Sequence, residues 1–227
     1  MVCVIGAGKV HEGHWLIIAD ALGECKSDIA SQVGLRRVLV TDGAYDIARQ
    51  QAIQVDVLLG DFDSISPGLL SELRDSEAVK VVDALDQHKT DLEKALYFLQ
   101  SHRVSDVIVV NALGGRMDHS LYNLRLLRRF SQTMPSLRFV TDEENIVFQQ
   151  DCHLSLVGLP SQRVSVMGFP SARISSQGLT YDMQHRLVGV NADDSVSNSL
   201  LAAEASVDIQ GSVLIFVENG IEISPFD

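Results

Sequence analysis

The sequence predicts an α/β fold, with a parallel-sheet, Rossmann-like domain over residues 1–148 followed by a small all-β sandwich domain over 149–227. Three observations lead there. From Arg36 to about residue 130, short apolar runs alternate with helical patterns, which is how a parallel sheet covered by helices reads. After about residue 140 the helical periodicity is gone, and pairs such as Val164/Val166 and Val207/Ile209 alternate with polar residues, as half-buried strands do. Finally, the unusual polar clusters of the first part all follow the C-terminal ends of expected strands, the edge where open α/β sheets bind ligands.

Taken in order, Val2–Ile5 reads as a strand ending in the turn Gly6-Ala7-Gly8. The third glycine position of a dinucleotide fingerprint is His11, and Val10 stands where a phosphate-binding loop needs Ser or Thr, so neither motif is complete. His11-Glu12-Gly13-His14 lacks the spacing of a zinc-protease helix. Trp15 to Ile29 is apolar enough for a helix. Val38–Val40 is the next strand, ending at Thr41-Asp42-Gly43, and Tyr45–Ala52 is a short helix. The strand Asp56–Leu59 runs into Gly60-Asp61-Phe62-Asp63-Ser64, and Pro67 opens a helix through Leu69, Leu70 and Leu73. Val79–Val82 leads to Asp86–Asp91, where a helix begins with Leu92, Ala95, Leu96 and Leu99 on one face. Val107–Val110 leads to Gly114-Gly115-Arg116, and the helix from about Asp118 is expected to carry Leu121, Leu124 and Leu127 inward. Phe139-Val140 and Ile146–Phe148 flank a polar turn, after which come short β segments.

Composition narrows the functional classes. The 227 residues are 46% hydrophobic and 21% charged, so an ordinary core can form. The net charge is −12 with no Lys/Arg run, against a nucleic-acid or membrane surface. Cys3, Cys25 and Cys152 are odd in number and far apart, which suggests neither a disulfide framework nor a Cys-rich zinc site. No apolar run approaches a membrane span and no basic leader precedes Val2, so a cytoplasmic protein is the expectation.

The clusters carry the chemistry. Isolated carboxylates cannot sit in a strand interior, so Asp61 and Asp63 are expected just past a strand end, where they repel unless a hard cation such as Mg²⁺ lies between them. Thr90-Asp91-Leu92-Glu93 is a capping box that places Asp91 in the first helical turn as a third metal-facing carboxylate. Lys89 precedes that helix N-terminus, which favours anions. Arg116 after two glycines offers a planar group of five donors for phosphate oxygens. Each cluster alone has a plain structural account: an acidic loop, a helix cap, a solvated arginine, a surface histidine at His119. Together they describe metal-assisted phosphoryl transfer and a Mg²⁺–nucleotide enzyme.

Gly60–Ser64, Asp86-Gln87-His88-Lys89-Thr90-Asp91 and Gly114-Gly115-Arg116-Met117-Asp118-His119, with Asn123 beyond, closely resemble the motifs of the thiamine pyrophosphokinase family. Asp42-Gly43-Ala44 resembles that family's Asp-Gly-Gly turn with one glycine replaced. Gly178-Leu179-Thr180-Tyr181 and Ser195-Val196-Ser197-Asn198 resemble its thiamine-side motifs. The resemblance runs from about residue 36 to the end. It implies transfer of the pyrophosphoryl group of ATP to thiamine, with Mg²⁺, in a homodimer with active sites at the subunit interface. It also implies roles: Asp61, Asp63 and Asp91 for the metal, with Arg116, as catalytic residues; Asp42, Gly43, Gln87, Lys89, Thr90, Gly114, Gly115 and Arg116 for ATP; Asp118, His119, Ser195, Ser197 and Asn198 for thiamine. Two alternatives are a pyrophosphokinase for another alcohol such as a hydroxymethylpterin, which Ser195–Asn198 speaks against, and a non-catalytic nucleotide- or thiamine-binding regulator. A regulator should have lost a metal carboxylate, and all three are present.

Overall fold

The computed structural model describes residues 14–19, 29, 34 and 36–226. The chain forms two compact units that divide between Asp142 and Glu143. The expected strand Val2–Ile5 and the Gly6–Gly8 turn lie outside the described residues.

In the first unit the described strands are β1 (His14–Ile18), β2 (Arg37–Thr41), β3 (Val57–Gly60), β4 (Lys80–Asp83), β5 (Asp106–Val110) and β6 (Arg138–Val140). They pair in parallel in the order β6-β5-β1-β2-β3-β4. The helices are α1 (Tyr45–Gln50), α2 (Pro67–Asp75), α3 (Asp91–Ser101) and α4 (Met117–Phe130). Because every strand points the same way, the residues after β2, β3, β4 and β5 all leave one edge of the sheet.

The helix expected over Trp15–Ile29 is corrected: its first residues form β1, paired through Leu16 to Val38 on one side and Ile108 on the other. Trp15, Leu16, Ile17 and Ile18 are buried on both faces. A four-residue apolar run of this kind does not distinguish strand from helix by periodicity, and the two flanking ladders settle it. Leu121 is the second correction. It is exposed, and the inward face of α4 is Ser120, Asn123, Leu126, Leu127 and Phe130. Two polar anchors set that rotation: Ser120 Oγ bonds the backbone of Gly114, and Asn123 Nδ2 donates to the carbonyl of Ala112 at 2.7 Å.

At α3 only half of the capping box forms. Thr90 Oγ1 accepts from the Glu93 amide at 3.3 Å, but the Glu93 carboxylate turns away and accepts from the Tyr122 hydroxyl and the Arg129 guanidinium. A buried carboxylate gains more from a charged donor than from one backbone N–H. This pair of bonds ties α3 to α4.

The second unit is all-β over its described residues. Its strands are β7 (Glu144–Val157), β8 (Arg163–Gln177), β9 (Arg186–Gly189), β10 (Ser195–Ser199), β11 (Glu204–Glu218) and β12 (Glu222–Pro225). They pair antiparallel in the order β10-β8-β11-β7-β12, with β9 on β8. The segments around Ile146 and Leu154, read separately in the sequence, are one strand crossing the expected 148/149 boundary. The pattern breaks between them because Asp151 has a positive φ and the register with β11 shifts between Ile209 and Ser212, which is a bulge. Leu156, Val164, Val166, Ile174, Val207 and Ile215 build the core of this unit.

Gly60 ends β3 against Asp42, and a Cβ there would collide with the Asp42 carboxyl. Gly60→Ala is therefore expected to cost about 1–3 kcal/mol of stability by overpacking. Urea unfolding followed by circular dichroism measures this, and an unchanged midpoint would mean that the Asp42 side chain is not held in place.

Candidate active site

Asp42 opens the single 3₁₀ turn, Asp42–Ala44, that follows β2. It is buried, and its carboxylate accepts from the Gly43 amide at 2.9 Å and the Phe62 amide at 2.8 Å. Phe62 takes a positive φ of 64° while its ring packs in the core of the unit. The backbone therefore reverses between Asp61 and Asp63, and both carboxylates end up beside Asp42. Oxygens of Asp42, Asp61 and Asp63 lie within 4.8 Å of one another, close enough to share one cation.

The environments of the three differ. Burial, and then the charge of Asp91, push the Asp42 carboxyl above the ordinary aspartate pKa. The hydrogen bond from Gln87 Nε2 to Asp61 Oδ2, at 2.9 Å, holds Asp61 below it. Asp63 is exposed and accepts from Ser64 Oγ at 3.0 Å. Such a group of like charges is what a cation relieves.

Asp91 stands in the first turn of α3 and is not part of the tight group. Its Oδ1 accepts from Lys94 Nζ at 2.9 Å, and that lysine side chain is only 8% exposed. Lys94 was missed by sequence reasoning. The available signal was its place among the buried Leu92, Ala95 and Leu96, three residues after Asp91. Lys89, half-buried beside the Thr90 cap, pairs with Asp86 of its own loop. Arg116 makes a forked pair with Asp118, Nε to Oδ1 at 3.1 Å and Nη2 to Oδ2 at 2.6 Å, which holds the Asp118 carboxyl below its usual pKa. Gly114 and Gly115 have φ of 112° and 58°, a loop path that favours glycine. The His119 amide donates to Asp118 Oδ1 at 3.0 Å. The edge after β2–β5 thus collects carboxylates, Lys89, Arg116 and the N-termini of α3 and α4. Ser120, also missed, locks the Gly114 loop to α4.

The residues expected on the thiamine side belong to the second unit. Ser195 and Asn198 are buried, whereas Ser197 is exposed at a φ of 59°. Asn198 spends its amide internally. Its Oδ1 accepts from the amides of Tyr181 and Ser199, at 3.0 and 2.9 Å, and its Nδ2 donates to the Tyr181 carbonyl and Ser195 Oγ, at 2.8 and 3.2 Å. Asn198 therefore staples the Tyr181 loop to β10 and leaves the Tyr181 ring 72% exposed.

Residues 34–139 match the family model for the catalytic domain of thiamin pyrophosphokinase. The Asp42 turn, the Asp61/Asp63 turn, the α3 N-terminus and the Arg116 loop all fall inside that span. Thiamin pyrophosphokinase 1 of Caenorhabditis elegans is 26% identical over 195 residues, 79% of this chain and 78% of that protein. Both matches point to the thiamine pyrophosphokinase family. Solved family structures share its fold. The Bacillus subtilis thiamine pyrophosphokinase superposes with a TM-score of 0.79 at 19% identity, covering 91% of this chain and 98% of that one. The Candida albicans thiamin pyrophosphokinase gives 0.78 at 17% identity, over 90% and 88%.

The Asn198 amide has four bonds to lose, and truncation leaves the part-buried Tyr181 N–H and carbonyl without these partners. Asn198→Ala is expected to lower the unfolding free energy by about 1–3 kcal/mol. A urea midpoint equal to that of the unchanged chain would show that the staple contributes nothing.

Proposed function

We propose that this chain is a thiamine pyrophosphokinase that moves the pyrophosphoryl group of ATP to the hydroxyl of thiamine, yielding thiamine diphosphate and AMP. The observation that carries the reading is the convergence of Asp42, Asp61 and Asp63, with the N-terminus of α3 following the next strand, inside the span that matches the family's catalytic domain. In the reaction the thiamine hydroxyl oxygen forms a bond to the β-phosphorus. The bond from that phosphorus to the oxygen bridging to the α-phosphate breaks, AMP leaves with that oxygen, and the hydroxyl proton is released. Such a displacement depends on positioning and charge neutralisation more than on a strong base.

The donor set fits Mg²⁺: carboxylate oxygens only, at a strand end, with one buried carboxyl strained by like charge. In this reading Asp61, Asp63 and Asp91 would hold the ion, with Asp42 beside them, and the ion would supply neutralisation of phosphate charge. Gly43, Gln87, Lys89, Thr90, Gly114, Gly115 and Arg116 bind and orient the ATP phosphates. Lys89 and Arg116 exchange their pairs with Asp86 and Asp118 for phosphate oxygens. Asp118, His119 and Ser197 face thiamine, with the Tyr181 ring as an apolar wall and Asn198 and Ser195 holding that wall in place. We read the first unit as a Rossmann-like nucleotide domain and the second as a β-sandwich for thiamine binding and dimerisation. A homodimer with active sites at the subunit interface and a cytoplasmic location go with this reading. Among the described residues no helix is long and apolar enough to cross a membrane.

Two measurements test it. With ATP, Mg²⁺ and thiamine, separated products should be AMP and thiamine diphosphate in equal amounts. Stoichiometric ADP would overturn the pyrophosphoryl transfer. Asp61→Asn and Asp63→Asn are each expected to lower turnover by about 100-fold or more with melting behaviour unchanged, since both groups lie outside the core. Near-normal turnover in either variant would remove that carboxylate from the site.

A further inference from the structure

Glu93, in the first turn of α3, is the most buried charged residue among those described, at 2% exposure. A buried carboxylate persists only where donors meet it. Here both donors come from α4: the Tyr122 hydroxyl and the Arg129 guanidinium. The bond to Glu93 raises the Tyr122 pKa, so the phenol remains a donor. From this junction, contacts lead to the N-terminal ends of both helices. On α3, Thr90 Oγ1 accepts from the Glu93 amide at 3.3 Å, and Lys89 just before that cap places Nζ over the Tyr97 ring, 5.7 Å from its centroid. Tyr97 meets Phe130 of α4 edge-on, with 5.0 Å between centroids. On α4, Ser120 and Asn123 flank Tyr122 and bond the Gly114 backbone and the Ala112 carbonyl, so the loop that ends at Arg116 is fixed to the helix.

We infer that Glu93 is a positioning residue: by clamping α3 to α4 through Tyr122 and Arg129 it sets the span between Lys89 and Arg116, and so favours a ligand whose phosphates bridge the two. This inference rests on the reading of Lys89 and Arg116 as groups that bind the ATP phosphates. The physical reason is that the two cations stand on different loops, each paired with a carboxylate of its own loop. A ligand that must touch both loses affinity when their separation varies, because the protein then has to be ordered on binding. Apolar packing of Tyr97 on Phe130 is non-directional and tolerates sliding of one helix along the other. Two charge-assisted bonds converging on one carboxylate are directional and fix the register of α4 against the first turn of α3.

The test is a calorimetric titration of the full chain with ATP and Mg²⁺, together with KM values for ATP and thiamine. Glu93→Gln keeps the size of the side chain but removes the charge that holds Arg129. It is expected to weaken ATP binding about tenfold and to raise the KM for ATP by a similar factor, with the KM for thiamine unchanged. Tyr122→Phe removes one of the two bonds and is expected to weaken ATP binding about threefold. A role in stability alone would lower the melting temperature without separating the two substrates. A folded Glu93→Gln chain with unchanged ATP affinity overturns the inference, and so does an equal rise in both KM values. Where Glu93→Gln does not melt cooperatively, Tyr122→Phe decides, and unchanged ATP affinity in that variant overturns it. If the unchanged chain binds ATP and forms no thiamine diphosphate while these affinities shift as expected, the functional reading fails and the role of Glu93 stands. A chain that binds no ATP overturns both.

Discussion

The carboxylate of Asp42 joins the end of one strand to the turn after the next. It accepts the Phe62 amide across 20 residues of sequence, and Gly60 leaves the room for it to do so. Without that acceptor the Phe62 N–H would be buried and unpaired, and the backbone reversal that brings Asp61 and Asp63 to the same side would lose its anchor. A buried carboxylate is costly, and here part of the cost is met by the Gly43 and Phe62 amides. The remainder shows as a raised proton affinity. The sign follows from that direction: Asp42 adds stability below its unfolded pKa, and the contribution is lost as pH rises through its folded value. In its ionised form the group is strained and suited to a cation.

The rest of the first unit serves that arrangement. Parallel strands deliver four loops to one edge, and polar bonds inside each loop set where the charged groups point. Gln87 holds Asp61, Lys94 holds Asp91, and Asp118 and Asp86 hold the cations Arg116 and Lys89. The surface pairs contribute little to stability, because exposed ion pairs are screened and cost side-chain entropy. Under the proposed function their consequence lies elsewhere: cations already paired with a carboxylate are kept near the crevice and can trade one anion for another.

The second unit solves a different problem. Its long strands bend at bulges, and its loops need internal anchors to keep a fixed shape. Asn198 is such an anchor for the Tyr181 loop, and Asp182 is another, accepting from Ser176 Oγ and from the amides of Gly178 and Leu179. Rigid loops with an exposed aromatic ring are a low-entropy way to present an apolar wall.

Much of this was legible in the chain. Alternation of strand and helix from Arg36, the carboxylates after Leu59, the Thr90 cap and the β texture after residue 140 follow from local chemistry: side-chain period, capping groups, and the exclusion of lone charges from strands. Tertiary structure decided what depends on partners distant in sequence. Trp15–Ile18 became a strand because two neighbours completed its hydrogen bonds. Leu121 was turned outward because Ser120 and Asn123 had to reach a loop backbone. Glu93 left its cap for Tyr122 and Arg129, and Asn198, which reads as a binding residue, was consumed as an internal staple. In the same way Lys94, a plain helix lysine in the sequence, was buried beside the carboxylates. Periodicity and capping are set by residues within one or two turns of each other, so the sequence displays them. Which polar group satisfies which is set by packing between elements, and that is known only once the chain has folded.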